Sequence, residues 1–235
     1  MNITPQDKNQ IEISVVVPIF NEEKTIDILY KKIKDVLGEL GENNEIIFID
    51  DGSVDGSIDI LKHLSILDNM VKVFQFLSNQ GQHKAIEKGF MEAKGRIIVT
   101  MDSDLQHDPY DIPKLIEKAN ENFDIVCGWR KARKDPCYKI VSAKIGNFIQ
   151  RKITGLNLHD MGCGMRAYRR DIVKDTIVAN RYEIGLLPYI LSKRTNRITE
   201  IEIAHNKRIY GRSNYKLLYI FGTICCYIKL LLTKK

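Results

Sequence analysis

Through the first half of the 235-residue chain, short runs of β-branched residues alternate with segments of helical period, and no other feature narrows the fold as much. Ile13 to Val17, Ile46 to Ile49, Val71 to Phe76, Ile97 to Met101 and Asp124 to Cys127 read as buried strands. Between them, Glu23 to Leu37, Ser57 to Leu67, Gln82 to Ala93 and Ile112 to Asn120 carry apolar residues at helical spacing. This βαβ succession predicts an α/β fold, a mostly parallel sheet flanked by helices on both faces. Ligands of such sheets bind beyond the carboxyl ends of the strands. Polar clusters stand at those ends: Asn21-Glu22 after the first strand, Asp50-Asp51-Gly52-Ser53 after the second, Asp102-Ser103-Asp104 after the fourth.

Asp102 and Asp104 are two residues apart in extended backbone, so both carboxylates can reach one hard cation at the sheet edge. Mg²⁺ or Mn²⁺ fits, because either takes oxygen ligands and keeps positions open for phosphate oxygens. Gln106 offers a further carbonyl. Two acids on a solvated loop would have the same spacing; what sets this pair apart is the apolar strand before it. Asp50 and Asp51 also follow a strand, where Gly52 permits a tight turn and Ser53 or Asp55 can cap the next helix. Capping does not explain two adjacent carboxylates at the strand end, one of which can accept from a nucleobase or ribose. Glu22 can do similar work or simply favour a helix N-terminus.

After Gly128 the pattern changes. Trp129 to Lys152 holds eight Lys or Arg against one acid, Asp135, and Tyr138, Val141, Ile145, Phe148 and Ile149 recur at helical spacing. Such a basic amphipathic helix suits an anionic membrane surface, and a solvated charged face is the plainer alternative. The formal net charge of +6 agrees with an anionic partner. Nucleic acid is disfavoured: the basic residues are not interleaved with aromatics for base stacking, and acidic strand ends repel phosphates unless a metal intervenes. Five cysteines without a CxxC pair argue against a disulfide framework or structural zinc and fit a reducing, cytosolic setting. Met1 to Gln10 is polar and does not read as a secretory signal. Leu217 to Thr233 is almost wholly apolar and about 17 residues long, at the lower limit for crossing a bilayer. An interfacial helix, a short transmembrane segment and a buried helix all remain open there; Lys229 favours the first. A soft boundary near Tyr215 divides a catalytic domain, 1–215, from this apolar tail, 216–235.

Five segments in order, VVVPIFNEE (15–23), IDDGSVDGS (49–57), MDSDLQHDP (101–109), DMGCGMRAYRRD (160–171) and RIYGRSNY (208–215), together resemble the family 2 glycosyltransferases. Within them the chain is most similar to dolichyl-phosphate mannose synthase and the bacterial polyprenyl-phosphate glycosyltransferases. The resemblance implies a GT-A (Rossmann-like) fold with a C-terminal membrane-associated helix. It also implies transfer of a sugar, with inversion, from a GDP- or UDP-linked donor to a polyprenyl phosphate on the cytoplasmic face of a membrane. Carried over residue by residue, Pro18, Phe20, Glu22, Ile49 and Asp51 line the nucleoside, with Asp102 and Ser103 also on the donor. Asp102, Asp104 and Gln106 hold the metal, and Arg130 and Arg208 hold the phosphates. Two positions depart from the family pattern: Phe20 stands where tyrosine is common, and Asn214 where the last motif has lysine, a charge that Arg212 or Lys216 can replace.

A phosphate acceptor explains why no general base stands out, since phosphate monoesters have a second pKa of about 6 and are largely ionised at neutral pH. His107 then reads as an orienting residue for Asp104 or the loop after it, and Asp160 as a sugar contact or a turn cap. A saccharide acceptor, which needs a base, and a donor-binding module without turnover are the competing readings. Gly162-Cys163-Gly164-Met165-Arg166-Ala167 matches a dinucleotide-binding pattern but opens no initial βαβ unit, so it lacks the required context.

Overall fold

The structure, a computed structural model, describes residues 11–41, 43–180 and 182–210. Among them seven strands form one sheet: β1 (Ile13–Ile19), β2 (Asn44–Asp50), β3 (Val71–Gln75), β4 (Ile97–Thr100), β5 (Ile125–Trp129), β6 (Arg166–Arg169) and β7 (Ile198–Glu202). Their order is β3-β2-β1-β4-β6-β5-β7. β1 pairs in parallel with β2 on one side and β4 on the other, so the order of strands across the sheet reverses at β1 and β4. Such a switch point leaves a crevice at the carboxyl ends of the two strands.

Successive side chains of a strand face opposite ways, and the core divides accordingly. Val15, Val17, Phe48 and Val99 face α1 (Ile26–Glu39), α2 (Ser57–Leu67) and α4 (Ile112–Asn120). Val16, Ile47, Ile49 and Ile98 face α3 (Gln82–Glu92), together with α6 (Arg170–Val173) and α7 (Glu183–Leu191). Burial on both faces is why these strands read as unbroken apolar runs rather than alternating ones.

The predicted elements of the first half are all present, two helices with the predicted bounds and the others with shifted ends. The first helix starts at Ile26 rather than Glu23 because residues 21–23 are laced to the loop before α2. Asn21 and Glu22 donate backbone N–H groups to the Ser53 and Ser57 hydroxyls, both at 2.9 Å, and Val54 and Gly56 donate back to the side chains of Asn21 and Glu23. Asn21 sits at φ 56°, which turns the chain out of β1.

The sheet is mixed rather than wholly parallel: β6 runs antiparallel between β4 and β5. Hydrophobic pattern hides β6 because two of its four residues are arginines. One, Arg166, is buried, its guanidinium donating to the carbonyls of Met161 at 2.5 Å and Ile184 at 2.9 Å. The glycine-rich run before it thus leads into an antiparallel strand and not into a strand-to-helix turn. β7, at the edge, is only half-buried.

The predicted basic helix is α5 (Cys137–Thr154). It buries none of its own residues, and Tyr138, Val141, Ile145 and Phe148 are all at least half exposed. Among the described residues no helix is long and apolar enough to cross a membrane. The polar start Met1 to Gln10, the boundary near Tyr215, Asn214 with Arg212 and Lys216, and the apolar stretch Leu217 to Thr233 lie outside the described residues.

Gly89 marks the closest approach of α3 to the sheet, where an added Cβ would come 2.2 Å from Val16 Cγ1. Gly89→Ala adds about 1 kcal/mol of helix propensity but costs about 1–3 kcal/mol in overpacking. We expect a net loss of stability in urea unfolding that Val16→Ala partly restores; a stabilised single variant would contradict this packing.

Candidate active site

The loop after β4 enters the switch-point crevice. Asp104 is buried; its Oδ1 accepts from the Gln106 backbone N–H at 3.0 Å, and its Oδ2 is bound by the Arg208 guanidinium. Burial pushes the Asp104 carboxyl above the usual aspartate range, Asp102 adds to this, and Arg208 opposes it. Asp102 is partly exposed, accepts from Gln82 Nε2 at 2.7 Å and has His107 Nδ1 3.7 Å from its Oδ2. Ser103, between them, is buried. The Asp102 carboxylate has room only because residue 164 is glycine: a Cβ there would come 2.5 Å from Oδ2.

Of the nucleoside set, Pro18 and Ile49 are buried within β1 and β2, and the Ile49 side chain packs in the α3 core, which leaves only its backbone for a ligand. Phe20 is exposed at the mouth of the crevice. Glu22, half-buried, is held up mainly by burial, while its hydrogen bond from Thr25 opposes this. The Asp51 carboxylate accepts from the backbone N–H groups of Gln80 (2.7 Å) and Gly81 (2.9 Å), so it shapes the loop leading into α3. Burial raises its pKa and those two amides pull it back.

Arg130 is not an open phosphate ligand. Its Nε and Nη2 form a two-pronged pair with the Asp160 carboxylate at 2.7 and 2.9 Å, both side chains nearly enclosed. Asp160 therefore neither stands free for a sugar nor acts only as a turn cap; burial alone would raise its carboxyl, but Arg130 holds it below the usual range.

His107 is buried between Asp102 and Cys163, whose Sγ lies 3.6 Å from its Nε2. Burial first, then Arg130, lowers the His107 pKa to about 3, and burial pushes the Cys163 thiol up to about 12. Both are neutral at physiological pH, which rules out a thiolate–imidazolium nucleophile. His107 stands beside Asp102, and its Nδ1 makes no hydrogen bond. His205, bridged to His107 through the backbone, accepts the Lys134 N–H on Nδ1 and so turns Nε2 towards Asp135, 3.7 Å away.

Beside Asp104 opens a cleft of about 490 Å³ lined by Gln106, Lys134, Asp135, Lys139, Lys207 and Arg208. Asp135 is engaged by Arg133 at 2.8 Å, so the cleft is strongly cationic. The sequence motifs did not mark Gln82 or Lys207, whereas Lys134 belongs to the basic run Trp129 to Lys152. Gln82 had one signal, its position at the start of the helix that faces the acidic loop.

The residues fit a hard divalent cation. Asp102, Asp104 and the Gln106 side-chain carbonyl supply oxygen only, and a guanidinium against Asp104 marks a place that stabilises positive charge. Among the described residues no group of three or more His, Cys, Asp or Glu could hold a metal alone, which is expected where substrate oxygens complete the shell.

The Glycosyl transferase family 2 model matches residues 14–177. The chain belongs to that family. It is 35% identical over 211 residues to the undecaprenyl-phosphate 4-deoxy-4-formamido-L-arabinose transferase of Aeromonas hydrophila, covering 89% of this chain and 64% of the relative. It is 36% identical over 212 residues to the protein of the same name from Proteus mirabilis, covering 90% and 65%. The chain thus spans less than two thirds of the length of these curated relatives. Glucosyl-3-phosphoglycerate synthase from Mycobacterium tuberculosis, in complex with Mn²⁺, UDP and phosphoglyceric acid, superposes with a TM-score of 0.73 at 19% identity, over 94% of this chain and 78% of that one. The shared architecture is GT-A-like.

Removing one partner of a buried ion pair costs about 3–5 kcal/mol, because the other charge is stranded. Asp160→Ala should destabilise this family 2 domain by that order in urea unfolding. Because the folded Asp160 pKa is lowered, its contribution is complete above the unfolded value of about 3.9 and is lost as pH falls through the depressed value. Acid unfolding of Asp160→Asn should accordingly be shallower below about pH 4; an identical acid limb would mean the pair is not formed.

Proposed function

We propose that this chain is a metal-dependent inverting glycosyltransferase that moves a sugar from a GDP- or UDP-linked donor to a polyprenyl phosphate at the cytoplasmic face of a membrane. The observation that carries the reading is the juxtaposition of the Asp102/Asp104 pair with the cationic cleft of Lys134, Lys139, Lys207 and Arg208. That arrangement suits two anions held close together, a diphosphate on one side and an acceptor phosphate on the other. The names of the curated relatives, each an undecaprenyl-phosphate sugar transferase, support the acceptor, and UDP with Mn²⁺ or Mg²⁺ in the structural relatives supports the donor side.

Asp102, Asp104 and Gln106 would hold Mg²⁺ or Mn²⁺, which supplies charge neutralisation on the departing diphosphate. Phe20, Glu22 and the loop held by Asp51 frame the nucleoside. Ser103, buried between the two carboxylates, stands on the donor side with Asp102. The lysines of the cleft hold the acceptor phosphate in line with the sugar, and alignment with electrostatic stabilisation accounts for catalysis. His107, whose pKa burial lowers to about 3, is too weakly basic to serve as a general base, in keeping with an acceptor already ionised. Arg130 acts by anchoring the 160–164 turn through Asp160, so that Gly164 stays beside Asp102.

The exposed stripe Tyr138, Val141, Ile145 and Phe148 of α5 starts at the cleft wall, where Pro136 and Lys139 stand. Lys144, Arg151 and Lys152 on the same helix are suited to anionic headgroups, so the stripe docks on the bilayer with the lipid phosphate beside the cleft.

Incubation with GDP- and UDP-sugars, Mn²⁺ and a polyprenyl phosphate should yield a glycolipid. Asp104→Asn should abolish both product and metal-dependent nucleotide binding while leaving the unfolding midpoint near that of the parent. Transfer only to a saccharide hydroxyl would sink the proposal. For the helix, Ile145→Glu with Phe148→Glu should weaken sedimentation with anionic vesicles several-fold and leave nucleotide binding intact; unchanged sedimentation would remove α5 from the membrane contact.

A further inference from the structure

Arg208 does not stand over the cleft as a free phosphate ligand. Its Nη2 is bound to Asp104 Oδ2 and lies 3.5 Å from Gln106 Oε1, so one guanidinium nitrogen sits between two of the three side-chain oxygens that suit a divalent cation. A cation reaching both oxygens must occupy the space of that nitrogen. Asp104 cannot turn away to serve both, because its other oxygen is fixed by the Gln106 amide and the side chain is packed in the crevice. Arg208 has somewhere to go: it follows β7 by six residues, its side chain is partly exposed, and it lines the open cationic cleft.

We propose that Arg208 and the divalent cation exchange at Asp104: the guanidinium holds the carboxylate until the cation takes it, and the displaced guanidinium then swings into the cleft to bind phosphate. This rests on the reading of Asp102 and Asp104 as a metal site and adds a regulation to it. The exchange makes metal binding and phosphate binding cooperative. Cation alone must break the Asp104–Arg208 pair without return, whereas cation with a nucleoside diphosphate gives Arg208 a new anionic partner. By linkage, each ligand then tightens the other by the same factor. A bare carboxylate pair loaded with adventitious cation would lack this coupling.

The test reads Mn²⁺ binding directly, by the electron paramagnetic resonance signal of free Mn²⁺, on the full chain at mildly alkaline pH with neither acceptor nor turnover. Without nucleotide, Arg208→Gln should bind Mn²⁺ about tenfold more tightly than the parent, equivalent to about 1.4 kcal/mol. With saturating UDP or GDP, the parent's Mn²⁺ affinity should rise by a larger factor than the variant's. Lys207→Gln is the control, removing a charge that lines the same cleft but does not touch Asp104. Equal tightening by Lys207→Gln would reduce the effect to general field and overturn the exchange, as would unchanged or weaker Mn²⁺ binding by Arg208→Gln. The two proposals fail differently: Mn²⁺ binding by neither protein, with or without nucleotide, removes the metal site itself and the exchange with it. Normal parental Mn²⁺ binding, lost in Asp104→Asn but unaltered in Arg208→Gln, removes only the exchange.

Discussion

Two carboxylates two residues apart, driven into a crevice at the end of a buried strand, set the problem that the surrounding residues solve. A buried charge is tolerated only when it is paired or hydrogen-bonded. Asp104 takes a backbone amide and Arg208; Asp102 takes Gln82. The partners come from sequence positions as far apart as 82 and 208, so the pair ties the start of α3, the β4 loop and the segment after β7 to one point. Arg130 and Asp160 perform the complementary task one layer deeper, where their mutual neutralisation lets the 160–164 turn pass close to Asp102.

The same electrostatics decide which groups remain neutral. His107 and Cys163 touch within the site and by residue type alone would suggest nucleophilic chemistry. Enclosure by apolar strands and the nearby Arg130 charge hold the imidazole deprotonated, while burial holds the thiol protonated. Their contribution is the shape of the site. Charge is concentrated instead at the open wall, in Lys134, Lys139, Lys207 and Arg208, where water and ligand can reach it.

The first half of the fold is legible because β1, β2 and β4 are buried on both faces, and an unbroken apolar run bounded by polar turns survives in sequence. Ser57–Leu67 and Ile112–Asn120 match the periodicity to the residue. Legibility ended where polar residues are buried by specific partners. β6 is half arginine, and Arg166 is accommodated by the carbonyls of Met161 and Ile184, which no periodicity encodes. The start of α1 is hidden for a related reason: the hydrogen bonds that hold residues 21–23 out of the helix come from residues 53–57, thirty positions on.

For the candidate site, sequence indicated which residues gather but not how they pair. Motif order brought Glu22, Asp51, Asp102, Asp104 and Arg208 to one crevice, and the switch point between β1 and β4 explains why. Pairing depends on distances of a few tenths of an ångström and on competition between partners. That is how Arg130, basic and next to the site, came to serve Asp160, while Arg208 came to serve Asp104. The distinction matters chemically. An arginine locked to a buried aspartate is scaffold, whereas one resting on a carboxylate at the mouth of an open cleft can be exchanged. The difference between them is enclosure: Arg130 lies almost wholly inside the protein, with nowhere else for its charge, and Arg208 faces a cavity of its own sign that only an anion can make favourable.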